Sequence, residues 1–353
     1  MAVTDRLVEA LLESGAPMDR DSLQPLAQRL LRHEAPLAPT SVAGDAVDAL
    51  VGLGPIEPLL RHPEVSDVLV NADGVVWVER NGALTRSEVR FPSLEAVVAA
   101  VERVIAPLGL RIDRASPAVD ARLPDGSRLH AIIPPASVDG PVVAVRRFTE
   151  AVADLDAMVA NGSVQPEAAA VLRGVVSERR NLLVVGGTGA GKTTLLNALS
   201  KEIPPEERIV TVEDAAELRL AGHVVRLEGR PPNAEGAGEI TLRALVRHAL
   251  RLRPDRLIVG EVRGAEALDM IQAMSTGHDG SMSTIHGNGP EEALWRLETL
   301  ALSGAARVAE TTIRRQIWSA IEVVVEVRRR LGSRHLARIS TVADGTLSET
   351  WAW

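Results

Sequence analysis

Eight residues near the middle of the chain constrain its fold more than any others. Gly186-Gly187-Thr188-Gly189-Ala190-Gly191-Lys192-Thr193 follows the pattern G-x-x-x-x-G-K-[ST] without exception. An apolar β-rich run at 181–185 feeds it, and a helix-periodic stretch at 193–199 follows. The glycines let backbone N–H groups close on phosphates, and the positive end of the following helix faces the same anion. Lys192 then reaches the β- and γ-phosphates, and the Thr193 hydroxyl ligates Mg2+. Gly187, Thr188, Gly189, Ala190, Gly191 and Thr194 complete the expected phosphate-binding set. The loop commits this region to a parallel sheet with helices on both faces. The short apolar runs at 209–212 and 257–259, flanked by charges, supply two more central strands. A guanine reader would carry Asn-Lys-x-Asp, which the chain lacks.

At 353 residues the chain is longer than one typical domain. Leu7, Leu11 and Leu12, then Leu23, Leu26 and Leu30, recur at helical spacing, so residues 1–48 read as a helical cap or partner-docking arm. Residues 49–148 read as an α+β domain. Strand-like runs at 65–70 and 75–79 flank the turn Asn71-Ala72-Asp73-Gly74, a helix covers 94–105, and further strand-like runs lie at 118–123, 128–133 and 142–148. Residues 149–353 alternate strand and helix around the phosphate loop.

Composition excludes several classes. The formal net charge is −8, Tyr is absent and Phe occurs twice. A nucleic-acid face needs a basic footprint or stacking aromatics, so no direct DNA binding is expected. Cysteine is absent, which rules out disulfides and thiolate zinc sites and fits a reducing cytoplasm. No stretch reaches the ~18–20 apolar residues that cross a bilayer, so any work at a membrane goes through partners.

Leu257-Ile258-Val259-Gly260-Glu261 occupies the place of a second acidic motif, an apolar strand ending in Asp and then Glu. Gly260 stands where the metal-side Asp belongs. Glu261, at the strand tip, either polarises a water for in-line attack on a γ-phosphate or forms a surface ion pair with Arg263. Acidic support for the metal then comes through water from Glu213 or Asp214, whose competing reading is helix N-capping. His278 and His286 flank a small-residue strand candidate and are candidate γ-phosphate sensors. Arg243, Arg247 and Arg251 share one helix face, as a solvated stripe or a subunit contact. Residues 204–207 read as a solvated loop.

These motifs occur in a specific order: the phosphate loop, then Val212-Glu213-Asp214-Ala215-Ala216-Glu217-Leu218, then residues 252–263, then the two-histidine segment. The order resembles the Walker A, Asp box, Walker B and His box of the type II/type IV secretion-system ATPase superfamily. Gly52-Leu53-Gly54-Pro55-Ile56-Glu57-Pro58-Leu59-Leu60, residues 116–128, Val145-Arg146-Arg147-Phe148 and residues 313–317 look most like its tight-adherence (Flp) pilus branch, TadA/CpaF. The four-cysteine module of the type II branch is missing.

The resemblance implies a RecA-like ATPase domain with a parallel sheet, preceded by a PAS-like α+β domain and a short helical segment. It implies an ATP- and Mg2+-dependent homohexamer on the cytoplasmic face of the inner membrane, with nucleotide between its two domains and a membrane platform protein as partner. It also suggests that arginines of the first domain, Arg128, Arg146 and Arg147 among them, close over the phosphates, since phosphoryl transfer spreads charge that arginine neutralises. Two other readings use the same motifs: a conjugative or type IV secretion ATPase, and a scaffold that assembles on ATP with little turnover.

Overall fold

The computed structural model describes residues 3–80, 82–147, 154–232, 236–305, 308–330 and 333–353; Phe148 and the expected boundary at 148/149 lie outside them. The chain divides into two compact units, Met1–Thr149 and Glu150–Trp353, each with its own cores.

The first unit opens with three helices, α1 (Val3–Glu13), α2 (Arg20–Glu34) and α3 (Ser41–Val51), packed around Leu7, Leu11, Leu23, Ala27, Leu31 and Val47. Asp19 caps α2 by accepting the Ser22 N–H at 2.8 Å. The buried stripe of α2 runs every four residues through Leu23, Ala27 and Leu31, while Leu12 of α1 stays exposed. The short α4 (Glu57–Arg61) leads into a PAS-like domain. Its strands are β1 (Val65–Val70), β2 (Val75–Arg80), β3 (Ala83–Arg90), β4 (Ala118–Arg122), β5 (Arg128–Ile132) and β6 (Val142–Arg146). They form one antiparallel sheet in the order β3-β2-β1-β6-β5-β4. Helix α5 (Leu94–Ile105), capped by Ser93, contributes Val97, Val101 and Ile105 to the core formed with the sheet.

The second unit is RecA-like. Its helices are α6 (Leu155–Ala160), α7 (Pro166–Ser177), α8 (Lys192–Ser200), α9 (Leu242–Ala249), α10 (Glu266–Met274), α11 (Pro290–Ser303) and α12 (Glu310–Ala320). Its strands are β7 (Leu182–Val185), β8 (Ile209–Glu213), β9 (Val224–Glu228), β10 (Arg256–Val259), β11 (Met282–Ile285), β12 (Val323–Arg330), β13 (Ser333–Ala343) and β14 (Thr346–Ala352). The sheet order is β14-β13-β12-β7-β11-β10-β8-β9, with β12 through β9 parallel and β13 and β14 antiparallel additions. Along β7, Leu183 and Val185 face the core that contains α9 to α12, while Leu182 and Val184 face the core of α6, α7 and α8. Burial on both faces explains why this strand reads as an unbroken apolar run. Parallel pairing also brings the carboxyl ends of six strands to one edge, where open α/β sheets bind ligands. Among the described residues no helix is long and apolar enough to cross a membrane.

Two charged segments depart from the sequence reading. Arg256 of β10 is fully buried, and Glu207 meets its guanidinium with both oxygens, at 2.7 and 3.0 Å. Residues 204–207 are therefore not simply a solvated loop: a guanidinium out of water requires a counter-charge. Arg243 and Arg247 each hold one oxygen of Asp269 on α10, at 2.7 and 2.6 Å, so that part of the expected stripe joins two helices of the same chain.

Removing one partner of a buried ion pair strands the other. Glu207→Ala should cost about 3–5 kcal/mol of unfolding free energy, seen as a lower denaturant midpoint, whereas Glu206→Ala should leave the midpoint near wild type.

Candidate functional site

The phosphate loop spans the turn between β7 and α8. Gly189 and Gly191 have φ of +69° and +100°, which side chains rarely adopt, so the turn depends on glycine there. Lys192, the first residue of α8, is buried with its ammonium folded back on the loop. It donates to the Gly186 and Gly187 carbonyls at 3.0 and 3.1 Å and reaches His286 Nδ1 at 3.4 Å. His286 follows β11, and its Nε2 lies 3.1 Å from Glu261 Oε1 at the end of β10. Arg263 grips both Glu261 oxygens at 3.0 and 3.2 Å and touches Asp214, after β8, at 3.2 Å. Lys192, His286, Glu261, Arg263 and Asp214 thus form one line across the ends of four strands.

Charge along the line is set by burial and neighbours. Burial, then the adjacent Lys192, lowers the His286 pKa. The imidazole is neutral near pH 7, and because an ammonium can only donate, its proton sits on Nε2 and points at Glu261. Burial pushes the Glu261 carboxyl up, but the Arg263 hydrogen bonds and charge, with His286 and Lys192 behind them, leave it below the usual carboxylate range. Burial lowers the Lys192 ammonium, with Glu261 opposing. The result is an ionised carboxylate, a neutral imidazole and a cation in one hydrogen-bonded sequence, groups of the kinds that can act as base, relay and anion receptor.

A profile of type II/IV secretion system proteins matches residues 49–346. The chain belongs to that family. A putative conjugal transfer protein of Mycobacterium tuberculosis is 44% identical over 315 residues, covering 86% of this chain and 89% of the relative. The type IV secretion system protein PtlH of Bordetella pertussis is 33% identical over 310 residues, covering 80% and 91%. The Legionella pneumophila ATPase DotB shares the fold, with a TM-score of 0.57 at 18% identity, covering 81% of this chain and 79% of that structure. Family membership and the phosphate loop together support an ATPase assignment.

Within this secretion-family chain, the missing acid at Gly260 has a steric explanation. A Cβ at Gly260 would lie 2.8 Å from Glu213 Cγ, so the Glu213 side chain occupies the corner that a residue-260 side chain would enter. Glu213 is buried at the end of β8. Its Oε1 accepts the Glu217 and Leu218 N–H groups at 2.8 and 2.9 Å, while Oε2 is buried without a hydrogen-bond partner. No helix follows β8 (the segment is irregular), so the capping is of a turn rather than the helix considered from sequence. Burial raises the Glu213 carboxyl to about 7 against these two hydrogen bonds. An orphaned carboxylate oxygen at the strand ends is what a Mg2+-bound water would satisfy, so the residues present fit the metal.

The other expected site residues are His278 and the arginines of the first unit. His278 sits before β11, at the strand end opposite His286, with Nδ1 3.2 Å from the Ala273 carbonyl. One four-residue strand separates the two histidines by ~13 Å, so they do not act together within a chain. Arg147 donates to the His62 carbonyl and, at 2.8 Å, to that of Val65, within its own unit. Arg122, Arg128 and Arg146 are direct register partners across β4, β5 and β6, and Arg146 also reaches Asp67 at 2.9 Å. From sequence Arg263 figured only as a possible partner of Glu261; its link to Asp214 depends on the pairing of β8 with β10, which no local pattern encodes.

The raised Glu213 pKa fixes a sign. Between the ordinary carboxylate range and about 7 the folded state holds the extra proton, so stability falls as pH rises through that window and levels off above it. In chelator-treated buffer Glu213→Gln should melt roughly 2–4 °C above wild type near about pH 8, with the gap closing near about pH 5. Restoring the acid should fail: Gly260→Asp alone should lose about 1–3 kcal/mol in denaturant melts, and Glu213→Ala in the same chain should recover most of it.

Proposed function

We propose that the chain is an ATP-hydrolysing motor subunit of a type II/IV-like secretion or pilus machine. The observation that carries this reading is the Lys192–His286–Glu261 line at the mouth of the phosphate loop. In this account the loop N–H groups and Lys192 take the β- and γ-phosphates, and Lys192 exchanges loop carbonyls for phosphate oxygens. Glu261 polarises the attacking water. His286 touches both Lys192 and Glu261, so loss of the γ-phosphate moves the base as well as the cation. Bound Mg2+ neutralises charge on the phosphates; Thr193 would hold it, with Glu213 or Asp214 behind a water. Arg128 and Arg146 supply further cations, with Arg122 beside them.

The unit at work is proposed as a homohexamer, cytoplasmic and peripheral to the inner face of the membrane through a platform protein. The sequence motifs favour assembly of a Flp-type pilus. The names of the conjugal transfer and PtlH relatives favour a second reading, a conjugative or type IV secretion ATPase.

Steady-state phosphate release, with mass by light scattering on the same samples, tests the motor. Lys192→Ala should abolish turnover in a hexamer-sized species. Glu261→Gln should keep ATP binding while turnover drops by about 100-fold or more; unchanged turnover would remove Glu261 from the chemistry. Tight ATP binding without wild-type turnover, even with the platform present, would instead support the scaffold. Salt-sensitive stimulation by single-stranded DNA would support the conjugative reading.

A further inference from the structure

We infer that Glu326 and Arg338, on the paired strands β12 and β13, are positioning residues: they anchor the far end of the His286 loop, residues 286–289, and so set where the His286 imidazole stands. The inference rests on His286 acting at the γ-phosphate as proposed above.

Sheet register puts the pieces in one row. Ile285 of β11 pairs with Val185 of β7, Val185 with Glu326 of β12, and Glu326 with Arg338 of β13. Directly opposed residues share a face of the sheet, and Ile285 and Val185 face the core that contains α9 to α12. The chain leaves this row at His286 and runs back across it to α11. It passes Val185 at Gly287, where a Cβ would meet Val185 Cγ2 at 3.0 Å. It reaches the other two residues at Gly289, where a Cβ would lie 3.2 Å from Arg338 Nη2 and 3.9 Å from Glu326 Oε2. Gly289 has a φ of +149°, so the backbone there suits glycine as well.

Charge makes the far contact firm. Glu326 is buried, and a buried carboxylate requires cations. Its Oε1 accepts from Arg328 Nε at 2.5 Å. Its Oε2 lies 3.4 Å from Arg338 Nε and accepts no hydrogen bond among the described residues. The other arm of the Arg338 guanidinium, Nη2, donates to Glu291 in the first turn of α11 at 3.2 Å. One planar fork thus joins a carboxylate buried in the sheet to a carboxylate on the helix that continues the loop. Asn288, inside the loop, donates to Glu292 of that helix at 3.0 Å, so the loop and the first turn of α11 are tied together. A misplacement of about 1 Å costs up to ~100-fold in rate, and slack at Gly289 is felt at His286 three residues before it. Arg338, engaged by both carboxylates, therefore acts through His286 and not on the nucleotide.

Two measurements on the full chain test this. The first is hydrogen–deuterium exchange without nucleotide. In Arg338→Ala the peptide spanning 286–291 should exchange about 10-fold faster, while that spanning 186–194 stays within about twofold of wild type. Arg328 still faces Glu326 in this variant, so the fold is retained, which a melting curve checks. The second is steady-state phosphate release, with ADP affinity measured beside it. Arg338→Ala should lower kcat by about 10-fold and leave ADP affinity within about twofold. Arg338→Lys keeps the charge without the fork and should recover part of kcat. In a His286→Ala chain, adding Arg338→Ala should cost little more, because both changes act through one imidazole. Arg330→Ala removes a cation from the same hairpin and should match wild type in both measurements. Unchanged exchange at 286–291 would overturn the inference. So would a kcat loss that multiplies fully with that of His286→Ala, or an equal fall in ADP affinity. If His286→Ala alone turns over like wild type, the role proposed for His286 fails, and exchange still decides the anchor.

Discussion

A buried ammonium has to be matched by acceptors or it loses its charge. At Lys192 the acceptors are two carbonyls of its own loop and the Nδ1 of His286. This need ties the end of β7 to the end of β11, and through His286 to Glu261 at the end of β10. The positions of the three groups are set by the parallel register of short strands buried on both faces, a stiffer support than any loop. Carbonyl partners carry only partial charge. A ligand bearing full negative charge can displace them without leaving the cation bare, so the same constraint that orders the free site makes it receptive.

What could be read in advance followed how local each signal was. The phosphate loop was legible because its pattern prescribes its own geometry. The strand ends at Glu213, Glu261 and His286 were legible because short apolar runs end in a polar residue at the sheet edge. The opposite placement of His278 was contained in the strand lying between the two histidines. The partner of Arg256 was hidden because Glu207 precedes it by nearly fifty residues and belongs to a segment that looks like surface. Asp269 was hidden from the Arg243 and Arg247 face for the same reason, being set by how two helices pack. The three C-terminal strands were missed outright. Val323 to Val325 is a short apolar run cut by Glu326, and the strand it pairs with is β7, far upstream.

The antiparallel sheet of the first unit makes the converse point. Arg122 and Arg128 face each other across one tight turn, but Arg146 belongs to a later strand, and only register reveals that it joins them in a row. Arg147, next to one of them in sequence, turns away and fastens the backbone ahead of β1. Neighbours in sequence thus have different partners: Arg146 meets the Asp67 carboxylate and Arg147 backbone carbonyls.

Glu213 and Gly260 share one corner on adjoining parallel strands, and neither can drift alone. A larger residue at 260 overfills the corner, while a shorter one at 213 empties it and releases the two N–H groups held by its carboxylate. The pair behaves as a single inherited character. A lineage passing from this arrangement to one with the acid on the other strand must cross a poorly packed intermediate, so the two solutions should persist as separate, slowly exchanging types among descendants.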